Sequence, residues 1–318
     1  MSGTLNALPS FSPRRELGRT GFIATRVGAG DLADRAVPLD TCVRTLRRAL
    51  DAGLNVVDTA PNYEEGYSEQ IVGAALAGRR AGVFLIDKVD HVDRPVLPQV
   101  GGSLERLGLP SVDLFVFHQI SSLESYQRMV APGGVWQELE SCRAAGKCRF
   151  IGLSSHDPSV LRAALDRGGA DVLMFPVGPF VDARYTSEIL PLAKQNGVGS
   201  VCFKTFGAGK LLGDSSGYGR PLAERPRGKL SSGGEDGATP LLPRLSVDEC
   251  INYTLTLDPD VALLGMSFPN EQDAALAAAA SFQPLTPAQL ADIRARAEVA
   301  VRDKGECWWN PRAGVPGG

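Results

Sequence analysis

One pattern constrains this chain more than any other. A short apolar, β-prone run is followed by a stretch with helical periodicity, and the pair recurs about eight times. The β-prone runs fall at 26–30, 56–59, 83–88, 114–118, 150–154, 172–175, 200–203 and 262–265. Between them, 40–52 places Val43, Leu46 and Leu50 on one face and stops at Gly53, a residue suited to a helix C-cap. The stretch 187–196 likewise lines up Ile189, Leu190 and Ala193 before Asn196-Gly197. Strands that alternate with helices must run parallel, because each helix carries the chain back to the same sheet edge. Eight such units in roughly 250 residues is the count of an α/β (β/α)₈ TIM barrel. A doubly wound sheet is the alternative, but no G-x-G-x-x-G turn follows the first strand.

Three segments depart from the alternation. Residues 15–24 carry a Gly18-Arg19-Thr20-Gly21 turn between β-prone runs and read as a hairpin closing one barrel end. After the seventh strand comes a long loop, 213–244, rich in Gly, Pro, Ser and charge, whose position would set it over the catalytic face as a lid or an insert. A C-terminal helix is expected over 286–303, followed by Cys307-Trp308-Trp309. The expected organisation is one domain over 14–310, with flexible termini at 1–13 and 311–318.

Composition narrows the function classes. A net charge of −3 with both signs interspersed suggests neither a nucleic-acid nor an anionic-membrane surface. No apolar run reaches a membrane span, and the N-terminus lacks a signal-peptide pattern, so a cytoplasmic protein is expected. Cysteines at 42, 142, 148, 202, 250 and 307 contain no C-x-x-C pair and read as free, structural thiols with no metal site.

In a barrel the C-terminal strand ends face the active site. Those ends carry Asp58 with Tyr63 five residues later, Lys88, His118, and Ser154-Ser155-His156. This set suits carbonyl reduction, because hydride addition leaves an alkoxide that needs a proton donor and nearby positive charge. A phenol with a pKa near ~10 is a poor acid–base at neutral pH. Lys88 beside Tyr63 would lower it, Asp58 would keep Lys88 charged, and His118 would donate a hydrogen bond to the substrate oxygen.

These residues resemble the aldo-keto reductase family. Arg14–Gly30 looks like its opening hairpin and first strand. Asp58-Thr59-Ala60-Pro61-Asn62-Tyr63-Glu64-Glu65-Gly66-Tyr67-Ser68-Glu69 matches its most distinctive block. Ser103–Gly108 with Val112–His118, and Ala145–Ser155, are similar to the segments leading to its histidine and its fifth strand. The resemblance implies a (β/α)₈ barrel, reductase activity with NADP(H), with NAD(H) as the alternative, and a catalytic tetrad of Asp58, Tyr63, Lys88 and His118. Tyr63 would be the general acid for reduction and the general base for oxidation.

The resemblance also implies cofactor contacts. Phe203 would stack on the nicotinamide, and Ser154 and Ser155 would meet its carboxamide, while Met174 replaces a common Gln. Lys204, Phe206, Gly207, Gly209, Lys210 and Leu211 align with a loop along the pyrophosphate, and Gly30, Asp31 and Gly265 complete the rim. Ser267 and Glu271 stand where a 2′-phosphate grip is usual, and Glu271 would repel that phosphate. Arg220, Arg225, Arg227 and Lys229 of the long loop could compensate. Trp136, Phe180, Tyr185, Trp308 and Trp309 are candidates for the walls of a pocket for a small carbonyl or alcohol, be it an aldehyde, ketone or sugar derivative. Two rivals are a lyase with a Schiff base at Lys88 and a cofactor-binding regulatory subunit with little turnover.

Overall fold

The computed structural model describes residues 14–212, 243–266 and 269–310. Both expected flexible termini, most of the long loop with its four basic residues, and Ser267 lie outside the described residues. Strands β1 (Arg14–Glu16) and β2 (Ile23–Thr25) pair antiparallel as the expected hairpin. Eight parallel strands then close a barrel: β3 (Val27–Ala29), β4 (Val56–Asp58), β5 (Phe84–Val89), β6 (Val112–Phe117), β7 (Cys148–Ser154), β8 (Val172–Pro176), β9 (Gly199–Phe203) and β10 (Val261–Leu264). Each pairs with its sequence neighbour, and β10 pairs back to β3. The barrel expected from the alternation is the fold observed.

The surrounding helices are α1 (Leu39–Asp51), α2 (Tyr67–Leu76), α3 (Val96–Leu107), α4 (Leu123–Val130), α5 (Val135–Ala144), α6 (Pro158–Arg167), α7 (Leu190–Gln195), α8 (Val247–Thr256), α9 (Pro269–Ala280) and α10 (Pro287–Ala300). The helix expected over 187–196 opens instead as a π turn at Tyr185–Ile189 before α7. The C-terminal helix starts where expected, because Thr286 and Gln289 form a reciprocal capping box. It ends at Ala300, three residues short of the sequence expectation.

Strand alternation sorts the core into two layers. Val56, Phe84, Ile86, Leu114, Val116, Val172, Met174, Val201, Val261 and Leu263 fill the barrel. Their neighbours, among them Val57, Leu85, Phe115, Phe117 and Phe175, face the helices. The hairpin stoppers the N-terminal end, where Leu17 and Ala24 join the inner cluster and the Phe22 ring lies 5.1 Å from that of Phe84. Gly18 adopts φ +48°, and a Cβ there would lie 2.3 Å from Gly199 N, so no side chain fits the turn. With that end filled, the C-terminal rim is left for chemistry.

Candidate active site

Alternation brings the site together. On β4, Val56 points inward, so Asp58 does too. On β5, Phe84 and Ile86 point inward, and Lys88 is next in phase. The Lys88 ammonium is buried, and its three protons reach Asp58 Oδ1 at 2.8 Å, Asp58 Oδ2 at 2.7 Å and the Thr59 carbonyl at 2.8 Å. Burial, the largest influence, works against its charge, but Asp58 and Tyr63 outweigh it and hold Lys88 above the usual lysine value. An amine so held is no Schiff-base nucleophile, which removes the lyase reading.

Lys88 Nζ lies 4.4 Å from the centroid of the Tyr63 ring. From the sequence, this ammonium is expected to lower the Tyr63 pKa. Burial outweighs that pull, Asp58 and Asp31 add to the rise, and the phenol is held above its usual value. The Tyr63 phenol is therefore held in its protonated form. It is carried by a tight turn in which Glu64, Glu65 and Gly66 all have left-handed φ, at 50°, 53° and 84°. The first two cost strain that the surrounding packing must hold.

His118 follows β6 by one residue and continues its ladder, its N–H donating to Val89 O at 2.9 Å. Its ring meets Tyr63 edge-on with centroids 5.7 Å apart. All four tetrad residues thus share one rim. His118 has a partner that the sequence argument missed: Nδ1 lies 2.6 Å from Asp90 Oδ1. Continuing the inward phase of β5 by two residues beyond Lys88 would have found it. A carboxylate can only accept, so Nδ1 carries the hydrogen. Burial pushes the His118 pKa down despite Asp90, with Lys88 and Lys204 also opposing a charge. The Asp90 contact thus fixes the orientation of the ring at the rim.

The proposed cofactor residues divide into an open set and a committed set. Gly30, Asp31 and Gly265 gather where β3 and β10 end, with Gly30 N donating to Leu264 O. Phe203 closes β9 and carries the His156 ring at 5.1 Å. Among the described residues, buried His156 Nε2 and Thr205 Oγ1 find no hydrogen-bond partner. Lys204 has left-handed φ of 75° and sits over the rings of Phe203, Trp308 and Trp309. Among the described residues no acidic side chain pairs with it, and burial lowers its pKa to about 8. In contrast, Lys210 is buried and donates to Glu306 O at 2.7 Å, and Leu211 packs in a cluster with Ile293 and Ala297 of α10. Their side chains tie the loop carrying Phe206, Gly207 and Gly209 to the C-terminal tail. Ser154 is buried, and the Ser155 hydroxyl is taken by Ile120 O and Asp157 N–H. Glu271 lies buried in the first turn of α9.

The pocket expectations need correction. Trp136 sits in the helix layer, 6.1 Å from outward-facing Phe117, with its indole N–H on Glu140. Two helices, α4 and α5, separate β6 from β7, and the second buries this ring away from the rim. Trp309 is fully buried, its N–H donating to Phe180 O at 2.9 Å, while Tyr185 donates to Trp309 O. Phe180 packs with the same C-terminal cluster. Trp308, 47% exposed and 4.8 Å from Lys204 Nζ, alone of these presents an open ring beside the rim. All six cysteines are free, and five are buried.

The model of the aldo/keto reductase family matches residues 26–291. An aldo-keto reductase of Bacillus halodurans, in its holo form, superposes with a TM-score of 0.67 at 25% identity, over 91% of this chain and 98% of that one. The NADH-specific methylglyoxal reductase of Escherichia coli is 28% identical over 219 residues, and L-galactose dehydrogenase of Arabidopsis thaliana 30% over 216. Each of these two matches covers 62% of this chain and 66% of the relative's length.

Proposed function

The chain belongs to the aldo/keto reductase family, and from that premise we propose that it transfers a hydride between a nicotinamide nucleotide and the carbon of a small carbonyl or alcohol. One observation carries the reading: Lys88, clamped by both oxygens of Asp58, lies 4.4 Å from the Tyr63 ring. When bound, the nucleotide supplies or takes up the hydride. The chain's own residues manage the oxygen. In reduction, Tyr63 donates its proton to the oxygen as negative charge builds there, and Lys88 stabilises the phenolate left behind. In oxidation the proton returns along the same path. Asp58 keeps Lys88 charged throughout.

The residues fit such a nucleotide. Phe203 provides a flat apolar face, and His156 beside it, whose Nε2 has no partner among the described residues, suits a polar amide. Glu271 opposes a 2′-phosphate at the start of α9, which supports NAD(H) as well as NADP(H), and one relative is named as NADH-specific. Replacing Glu271→Arg is expected to raise the ratio of NADPH to NADH affinity about tenfold or more, measured by fluorescence titration. An unchanged ratio would move the 2′-position away from α9.

The role of Tyr63 is tested by Tyr63→Phe. Turnover is expected to fall about 100-fold or more, while nucleotide affinity stays within a few-fold. Wild-type turnover in that variant would take Tyr63 out of the chemistry.

A further inference from the structure

We propose that Lys204 is an anion-binding residue of this rim, and that the carbonyl substrate it selects carries a carboxylate. The inference rests on the hydride-transfer reading and adds to it a contact outside the tetrad.

Lys204 is the first residue after β9, and its backbone is held in place. Its carbonyl accepts from Gly207 N–H at 2.8 Å, and a Cβ on Gly178 would lie 2.6 Å from the same oxygen. The φ of 75° is costly for a residue with a side chain, and such strain gathers at ligand sites. The side chain runs among three rings, with Nζ 4.8 Å from the Trp308 centroid, 5.4 Å from that of Trp309 and 5.7 Å from that of Phe203. Trp308 is 47% exposed, so one wall of this aromatic shell stays open. The other buried lysines have acceptors: Lys88 has Asp58 and Thr59 O, Lys210 has Glu306 O, and Lys304 has Lys210 O and Pro243 O. Among the described residues the Lys204 ammonium has no such acceptor.

The surroundings call for one opposite charge. Facing Lys204 are the three rings and the imidazoles of His118 after β6 and His156 after β7, whose pKa values its charge helps to lower. None of these groups is negative, and burial without compensation brings the Lys204 pKa down to about 8. A carboxylate beside Nζ makes a charge-assisted hydrogen bond where water screens it little. A phosphoryl group brings up to about two charges and three acceptor oxygens, which one ammonium among rings leaves mostly unmet. The His118 ring also meets Tyr63 edge-on, with centroids 5.7 Å apart, so Lys204 and Tyr63 flank a common imidazole. A substrate can set its carbonyl oxygen at Tyr63 and its carboxylate at Lys204, with its body against Trp308.

The test compares 2-, 3- and 4-formylbenzoate with their neutral methyl esters, in the full-length protein saturated with its preferred nucleotide. At least one acid is expected to exceed its ester in kcat/KM by about tenfold or more, carried mostly in KM. In Lys204→Met that ratio is expected to fall to about unity, whereas Lys204→Arg, which keeps the charge, is expected to retain a clear preference for the acid. Raising the pH through about 8 is expected to lower the ratio in the wild type, because Lys204 loses its proton there while Tyr63 and Lys88 keep theirs. Acids no better than their esters in the wild type, or a ratio that survives Lys204→Met or the rise in pH, overturn the inference and leave the hydride-transfer reading standing. A Lys204→Met protein that keeps the ratio but binds nucleotide about tenfold more weakly also overturns it, and assigns Lys204 to a nucleotide phosphate. Nucleotide binding without turnover of any carbonyl overturns the reading itself, and the inference with it.

Discussion

Lys88 shows how closely function and stability are joined at single residues. Every proton of its ammonium has a fixed acceptor, two of them on Asp58. Lys88→Met removes the charge near Tyr63 and also leaves a buried carboxylate unpaired. That variant is expected to lose turnover and about 3–5 kcal/mol of stability, measured by denaturant unfolding. Unfolding at the wild-type midpoint would show that Asp58 finds water or another partner. The four tetrad residues were legible because each closes or follows a strand at one rim. Their electrostatics were not, because burial outweighs the Lys88–Tyr63 attraction and burial is a property of the fold. Asp90 lay within reach of the same alternation argument, two residues past Lys88, but its bond to His118 depends on the register of β5 against β6.

At the scale of elements, the barrel's two ends have separate duties. The hairpin β1–β2 fills the end opposite the rim with Leu17, Ala24 and Phe22. Leu17→Ala is expected to cost about 2–5 kcal/mol while leaving kcat within about twofold, because the cavity opens far from Tyr63. A large loss of kcat at temperatures well below unfolding would show that the two ends are mechanically coupled. The hairpin was legible from one glycine-flanked turn. The C-terminal tail was not. Lys304 Nζ donates to Lys210 O and Pro243 O, Lys210 Nζ to Glu306 O, and Trp309 to Phe180 O. These long-range bonds draw Lys210 and Trp309 into packing, and nothing local in the sequence announces them. Trp136 was misread for a similar reason, since its apolar ring suits a pocket wall and a helix–strand seam equally.

For the whole molecule, the apolar rhythm of strand and helix was enough to identify the architecture, and the eight parallel strands close as that rhythm implies. Among the described residues no helix is long and apolar enough to cross a membrane. The rim that hosts the site also sets an acid sensitivity. Burial, together with Lys204 and His118, lowers the His156 pKa to about 3, so in acid the unfolded chain binds a proton there that the folded chain refuses. Stability from this residue is present above the unfolded histidine value near ~6.5 and falls as pH drops toward about 3. His156→Phe is expected to flatten the stability profile across that window, read from urea midpoints at several pH values. A profile as steep as the wild type would place the acid sensitivity elsewhere.

In the proposed function this rim moves a hydride under the control of Tyr63. Its most direct test is a single-turnover experiment, in which protein in excess over NADH or NADPH is mixed with 2-hydroxypropanal and the loss of reduced-nicotinamide absorbance is followed. Decay in the wild type, slowed about 100-fold or more in Tyr63→Phe with the nucleotide still bound, is the expected result. Nucleotide that binds the wild type and stays reduced with this and every other aldehyde or ketone offered would contradict the account, and the barrel would then be a nucleotide-binding subunit.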